Sequence, residues 1–218
     1  RQIGIRDSYL TVPGKLPELH ARISNHTMGY FKKHGIGIMG FWNDEIGAGN
    51  KLTSVLTFES LAAREEIWAS FRADPAHKQA RAEYEAEAPL VVKITNRLMQ
   101  LTDYSPEPHL SSEVQEVRVY DAMLGKTSAM HQRFSNHTLN SFERAGIDSI
   151  AFWTEIVGTS NRLVYMLGYS SLGDREKCWT AHLTNAEWRK ARAESEKDGP
   201  LVRATHHTLI RPTPYSPR

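Results

Sequence analysis

Two histidines recur in identical surroundings, because residues 24–27 and 135–138 both read Ser-Asn-His-Thr and contain His26 and His137. An imidazole titrates near neutral pH, so it can act as a general acid or base. His26 lies four residues before Tyr30, which places both on the apolar stripe of a predicted helix that faces a sheet. Each histidine is therefore a candidate proton shuttle. The alternative is that each hydrogen-bonds a strand carbonyl and fixes the helix to the sheet.

Two tryptophans lie on predicted strands next to small residues. Trp42 follows Gly40 by two positions and Trp153 follows Ala151 by two, so each pair shares one face of its strand. A large ring beside missing side-chain volume is typical of the wall of a ligand pocket. Plain core packing is the alternative and the commoner role of such a ring.

Polar side chains near these residues extend the candidate site. Glu45 and Glu155 lie at the ends of the two tryptophan-bearing strands, where each is a catalytic carboxylate, a solvated side chain or a turn residue. Asn25 and Asn136 either orient a ligand or hydrogen-bond a neighbouring helix. Tyr30 is a further candidate ligand contact.

Other kinds of site are not predicted. His206 and His207 are adjacent on a predicted strand and point to opposite faces, so they cannot chelate one metal ion together. No other spacing matches a metal motif, and no metal is predicted. The sequence lacks a glycine-rich phosphate loop and a nucleophile elbow. Cys178 lies in the middle of a predicted helix, in only one of the two similar halves of the chain, and is a poor candidate nucleophile.

A repeat governs the whole chain. An offset of 111 residues, the distance from Gly14 to Gly125, aligns the two halves without a net gap and makes about a third of the paired positions identical. Two copies, each long enough to fold, argue against a solenoid. The predicted domains are residues 1–106 and 114–218, and the Pro- and Ser-containing segment 107–113 is the linker.

Periodicity within the first copy predicts six helices and strands and one loop between two of the strands. In order these are a strand over 2–12, a helix over 16–34, a strand over 36–42, a loop over 46–50, a strand over 52–58, a helix that Ser60 caps and Asp74-Pro75 interrupts, and a strand over 90–101. The order βαββαβ is ferredoxin-like. The strand 36–42 is apolar on both faces, which favours helices over one face and another sheet over the other. The predicted fold class is α+β, with the two repeats packed sheet-to-sheet.

Composition narrows the classes of partner. The 27 basic and 25 acidic residues leave a net charge of +2, and no basic block stands out, so no nucleic-acid partner is expected. No apolar run of 18 or more residues is present, so no membrane partner is expected. A single cysteine favours a reducing compartment, and we expect a cytoplasmic protein. The question of a targeting segment before Arg1 stays open.

Three stretches resemble NIPSNAP-domain proteins, and the resemblance covers both halves. They are residues 41–47, 60–65 and 211–217, which read FWNDEIG, SLAARE and RPTPYSP. The resemblance implies the dimeric α+β barrel superfamily, which includes cofactor-free monooxygenases, lactone isomerases and haem enzymes. The NIPSNAP branch has no single agreed activity, and its mitochondrial members are associated with vesicle traffic and mitophagy signalling.

The second copy departs from this pattern at two places. Glu155 lies one residue closer to its tryptophan than Glu45 does, and Ser141 replaces Tyr30. Two pockets, one in each repeat, would therefore not be equivalent.

The sequence favours a small-molecule enzyme or binder with an apolar pocket between each sheet and its helices. His26 or His137 would transfer a proton, while Trp42 or Trp153 and the neighbouring asparagine would stabilise an oxyanion. Proton transfer to or from an apolar carbonyl or phenolic compound, or its cofactor-free oxygenation, suits such a site. No cofactor is expected, and a higher homo-oligomer is allowed. The alternative is a non-catalytic interaction or scaffold protein whose histidines are structural.

Overall fold

Each repeat forms four strands and two helical segments, in the order that the sequence predicts. The computed structural model describes residues 2–217. In the first repeat the elements are β1 Ile3–Thr11, α1 Leu16–Arg22, a π-helical turn Ile23–Thr27 (π1), α2 Met28–Lys33, β2 Gly37–Ile46, β3 Lys51–Phe58, α3 Leu61–Ala73, α4 Pro75–Tyr84 and β4 Val91–Leu101. In the second repeat they are β5 Val114–Ala122, α5 Thr127–Arg133, a π-helical turn Phe134–Thr138 (π2), α6 Leu139–Arg144, β6 Asp148–Val157, β7 Arg162–Tyr169, α7 Leu172–Thr184, α8 Ala186–Ser195 and β8 Val202–Pro212.

The strands of each repeat pair antiparallel in the ferredoxin-like order. In the first repeat β1 lies between β3 and β4, and β2 adds beside β3. In the second repeat β5 lies between β7 and β8, and β6 adds beside β7. The predicted α+β class with ferredoxin-like repeats is therefore confirmed. The strand predicted over 36–42 is longer than expected, since β2 continues to Ile46 and shortens the loop that follows it.

The helix predicted over 16–34 is not a single α-helix. A π-helical turn occupies the Ser-Asn-His-Thr motif in both repeats. Thr27 Oγ1 donates to the Arg22 carbonyl at 3.4 Å, and Thr138 Oγ1 donates to the Arg133 carbonyl at 3.2 Å. Both bonds span five residues, which is the spacing of a π-helical turn. A polar side chain thus supports the wider turn from within.

Polar caps fix where the second pair of helices begins. Ser60 Oγ accepts from the Ala63 N–H at 3.1 Å, as predicted, and Ser171 Oγ accepts from the Asp174 N–H at 3.0 Å. Asn185 Oδ1 accepts from the Trp188 N–H at 2.8 Å, which starts α8 directly after α7. This tight turn brings the first turn of α8 back against α7.

The chain divides into two compact units, and each unit includes the C-terminal tail of the other repeat. The first unit runs to Gln100 and includes Pro212–Pro217, and the second comprises Leu101–Arg211. Each unit has its own core between the sheet and its helices, and Phe41 and Phe152 belong to the first and second of these cores. Among residues 2–217, no helix is both long and apolar enough to cross a membrane.

Candidate functional site

The two repeated histidines lie at the surface side of their helices. His26 is half-buried and its ring contacts Tyr84 at 5.5 Å, while Asn25 is exposed and donates to the Tyr84 hydroxyl at 3.5 Å. His137 and Asn136 are exposed and line a hollow of about 200 Å³. The expectation that the histidines face the sheet is wrong. It assumed 3.6 residues per turn, whereas the π-helical turn inserts a residue and changes the direction in which the side chains of the motif point.

The structure does not bring Trp42 and Trp153 to the histidines. Phe41 and Phe152 pack in the cores between sheet and helices, so the neighbouring tryptophans lie on the opposite sheet faces. Both tryptophans are buried there. The predicted pairing of histidine and tryptophan in a pocket between the sheet and its helices is therefore wrong for both repeats.

The remaining predicted residues are also dispersed. Glu45 is exposed at the end of β2, and Tyr30 is half-buried with its ring 5.5 Å from that of His77. Glu155 is buried, and its Oε1 accepts from the Thr159 N–H at 2.9 Å. This bond is the turn role that the sequence offered as the alternative to catalysis.

A cavity of about 580 Å³ lies between the sheet and the helices of the second unit. This is the position, though not the lining, that the sequence predicts, and the volume is in the range of small-molecule sites. Its aromatic lining consists of Tyr120, Phe134, Phe142, Tyr165, Trp179 and Trp188. Its charged and titratable lining consists of Arg118, Arg133, Arg175, His182, Arg192, Glu196, Arg203 and His207.

Strand register assembles the floor of the cavity. Glu116, Arg118 and Tyr120 alternate along β5 and so share one sheet face. Arg118 is directly opposite Tyr165 on β7 and His207 on β8. Paired residues of antiparallel strands point to the same side of the sheet. Arg118, Tyr165 and His207 therefore form a row of cationic and aromatic side chains across three strands, beneath the helices.

Arg118 is a buried cation held rigidly in this row. Its side chain belongs to a residue only 6% exposed, and its guanidinium lies 4.1 Å from the centre of the Trp179 ring. Nε donates to the Tyr165 hydroxyl at 2.9 Å, and Nη1 donates to Glu116 Oε1 at 2.5 Å. Burial alone would lower the pKa of Arg118, but Tyr165, Tyr120 and Glu116 raise it, so the group stays charged.

Glu116 is fully buried and shared between two guanidinium groups. Besides Arg118, Arg175 of α7 donates to it through Nε at 2.9 Å and Nη2 at 3.0 Å. Burial would raise the pKa of Glu116, but the hydrogen bond from Arg175 and the charge of Arg118 lower it overall. Two cations against one carboxylate leave this end of the cavity with an excess of positive charge.

Three rings in sequence form the helical wall of the cavity. The centres of Trp179 and His182 are 5.3 Å apart, and those of His182 and Trp188 are 4.8 Å apart. Burial, with the charges of Arg118 and Arg192, lowers the pKa of His182 to about 4, so its ring is neutral at pH 7. Its Nδ1 lies 2.8 Å from Ser141 Oγ, which ties α7 to α6. We call Trp179, His182 and Trp188 the ring wall.

His207 provides a neutral base at the edge of the cavity. The residue is exposed, and its Nδ1 lies 3.6 Å from Glu116 Oε1. Burial and the charge of Arg118 lower the pKa of His207 below its ordinary value of 6.5, although Glu116 opposes this effect. The imidazole is therefore largely unprotonated at neutral pH and able to accept a proton.

The floor of the cavity is not shared by the two repeats. At the offset of 111 residues, Arg118 corresponds to Asp7, whose pKa is raised by burial despite hydrogen bonds from Asn96 and Tyr9. Glu116 likewise corresponds to Ile5. The expected inequivalence of the repeats thus includes a reversal of buried charge. Comparing the two copies position by position would have singled out this strand, because Glu116 replaces an apolar residue and Arg118 replaces an acidic one.

Comparisons with solved structures define the class of fold. The chain is similar to a "putative monooxygenase" from Lactobacillus acidophilus NCFM, with 10% identity and a TM-score of 0.63 over 97% of this chain and 93% of that one. It is also similar to a mutant chlorite dismutase from Candidatus Nitrospira defluvii, with 10% identity and a TM-score of 0.58 over 98% of this chain and 91% of that one. At such identities the likeness shows the fold alone, which is that of the dimeric α+β barrel proteins.

The family follows from the sequence. The NIPSNAP family model matches residues 6–106 and 115–217. The chain belongs to the NIPSNAP family, with one domain in each repeat, and the resemblance seen in the sequence is confirmed. A NIPSNAP-like domain protein from Burkholderia xenovorans is 22% identical over 48% of this chain and 89% of its own, with a TM-score of 0.44. No protein of curated function matches the chain.

Proposed function

We propose that the second unit binds a planar, largely apolar carbonyl or phenolic compound in its cavity and transfers a proton to or from it. The observation that carries this proposal is a buried, charged Arg118 in the lining of an aromatic cavity of about 580 Å³. A carbonyl that becomes an enolate, or a phenol that becomes a phenolate, gains negative charge on oxygen. A cation already fixed by Tyr165 and Glu116 stabilises that charge without further reorganisation.

His207 is the proposed proton acceptor in this site. It is paired with Arg118 across β5 and β8, and its lowered pKa keeps it unprotonated at pH 7. Deprotonation of a ketone or phenol beside Arg118 is also the first step that a cofactor-free oxygenation would need. The sequence offered His26 and His137 as proton shuttles, but neither lines this cavity, and the variants below separate them from His207.

Exchange of the α-protons of 2-indanone in deuterated buffer, followed by NMR, tests the proposal. We expect the wild-type protein to accelerate exchange and His207→Gln to slow it by about two to four powers of ten, the usual contribution of a general base. Arg118→Met should lower the affinity for 4-nitrophenolate, which is followed by its absorbance.

His137→Gln and His26→Gln are the matched controls and should exchange like the wild type. Loss of exchange in His137→Gln, with normal exchange in His207→Gln, would show that His137 in the π-helical turn transfers the proton. If the wild-type protein shows neither exchange nor saturable phenolate binding, the proposal is overturned and the non-catalytic interaction protein is favoured.

A further inference from the structure

A second buried guanidinium lies in the lining of the same cavity. Arg133, at the end of α5, is only 5% exposed, and its guanidinium lies 5.7 Å from the centre of the Trp188 ring. Nη1 donates to Glu196 Oε1 at 2.6 Å and to Ser195 Oγ at 3.4 Å. The buried Nε has no hydrogen-bond partner among the residues that the structure describes. A guanidinium carries five donors in a planar fork, so much of this fork is unused.

The first repeat shows which part of this arrangement is structural. There Arg22 Nη1 donates to Glu85 Oε1 at 2.5 Å, and Arg81 pairs with Glu85 as Arg192 pairs with Glu196. The ion pair is therefore common to both repeats. The unpartnered buried Nε is recorded for Arg133 and not for Arg22 in the described part of the chain. An unpartnered buried donor is costly, and because Arg133 lines the cavity, an acceptor bound there would satisfy its guanidinium.

Arg118 and Arg133 lie at opposite ends of the ring wall. Successive contacts run from Arg118 to Trp179 at 4.1 Å and from Trp188 to Arg133 at 5.7 Å, with His182 between the two tryptophans. In this series of contacts three rings lie between the two guanidinium groups. A flat ligand along this wall would place one group at each end.

Resting on the proposed function, we infer that the ligand carries a remote carboxylate that binds Arg133, while its reacting oxygen binds Arg118. A carboxylate matches the planar fork of a guanidinium and accepts two hydrogen bonds from it. When Arg133 binds the ligand, Glu196 stays paired with Arg192, whose Nε lies 3.3 Å from Glu196 Oε2. The ligand class is thus an elongated planar carbonyl or phenolic compound that also carries a carboxylate at its far end.

Calorimetry with two ligands of one shape tests the inference: 4′-hydroxybiphenyl-4-carboxylate and its neutral 4-carboxamide. We expect the wild-type protein to bind the acid about tenfold more tightly or better, as a hydrogen bond to a charged group implies. Arg133→Met should abolish this preference and leave the affinity for the amide within about twofold. Glu196→Gln, which frees Arg133 from its carboxylate, should increase the preference and serves if Arg133→Met does not fold.

Arg22→Met is the matched control, because it removes the equivalent ion pair from the first unit and should keep the full preference. Equal affinities for the acid and the amide in the wild-type protein would overturn the inference while leaving the proposed function standing. Failure of both ligands to bind, together with absent 2-indanone exchange, would overturn both. A preference that survives in Arg133→Met would also overturn the inference.

Discussion

Glu116 and Arg118 are buried side chains of opposite charge on one strand, and each depends on the other. Removing one partner of such a pair leaves a buried charge without compensation, which typically costs about 3–5 kcal/mol. Arg175 moderates this cost when Arg118 is removed, because it also donates to Glu116, whereas removal of Glu116 leaves both guanidinium groups without their carboxylate. The residues are therefore both the electrostatic centre of the cavity and a determinant of stability.

We predict that Glu116→Gln destabilises the protein at pH 7 by several kcal/mol, on the order given for a broken buried pair. The pKa of Glu116 is lowered below its ordinary value of 4.5 in the folded state. Its stabilisation is therefore complete above pH 4.5 and is lost as the pH falls through the folded-state pKa. Urea denaturation should show a large difference from wild type at pH 7 that shrinks as the pH falls below 4.5.

Glu194→Gln is the control for this experiment. Glu194 pairs with Lys197 at 2.7 Å in an exposed site, where ion pairs contribute little. This variant should denature like the wild type at both pH values. A constant difference between Glu116→Gln and wild type across the titration would show that packing, and not charge, causes the loss.

At the scale of elements, the π-helical turns place α1 and α5 relative to the helices that follow them. The wider turn is recorded in both repeats, on the same four-residue motif. In π2 it positions Thr138 in the cavity lining and Arg133 at the end of the ring wall. A π-helical turn is less favourable than an α-helical turn and is retained where it serves a site.

We predict that Thr138→Val destabilises the second unit more than Thr27→Val destabilises the first. Valine has nearly the shape of threonine but cannot donate to the carbonyl five residues earlier. The Arg133 carbonyl would lose its bond in a buried setting, at a cost of about 1–3 kcal/mol, whereas Thr27 is only partly buried. Thermal denaturation of the two variants measures the difference, and equal losses would contradict the role of burial.

At the scale of the whole molecule, each compact unit contains a tail from the other repeat. Phe41 donates its N–H to Ser216 Oγ at 2.8 Å and accepts from the Thr213 N–H at 2.9 Å. Phe152 donates to Ser105 Oγ at 3.0 Å and accepts from the Thr102 N–H at 2.9 Å. The tails thus complete the hydrogen bonding of equivalent strands, β2 and β6.

We predict that Ser216→Ala loosens the first unit and that Ser105→Ala loosens the second. Each substitution leaves one phenylalanine N–H without its acceptor. Hydrogen–deuterium exchange with mass spectrometry should therefore show faster exchange around Phe41 in the former variant and around Phe152 in the latter. Faster exchange in the repeat that donates the tail, with no change in the unit that receives it, would contradict this assignment.

Local sequence patterns predicted most of the elements. The alternation in residues 52–58, the cap at Ser60 and the break at Asp74-Pro75 each lead to an element close to its observed position. Because the two halves are similar in sequence, the same helices and strands are predicted for the second half. These features depend on neighbours in the chain, so periodicity and turn chemistry report them directly.

The same local reasoning failed for the candidate site. The helical period assumed for His26 does not hold through a π-helical turn, and α-helical periodicity does not reveal that turn. Trp42 and Phe41 are both apolar neighbours on one strand, so the sequence did not show which of them faces the helices. Both errors concern the direction of a side chain.

The sequence by itself determined that the protein has two NIPSNAP-like α+β repeats that differ at particular positions, because periodicity and self-similarity are properties of the chain. Only the tertiary structure decided which residues form the cavity. Arg118, Tyr165 and His207 are far apart in sequence and meet through the register of three strands. Strand register depends on hydrogen bonding between distant segments, and a shift of one residue would turn all three side chains to the other face of the sheet.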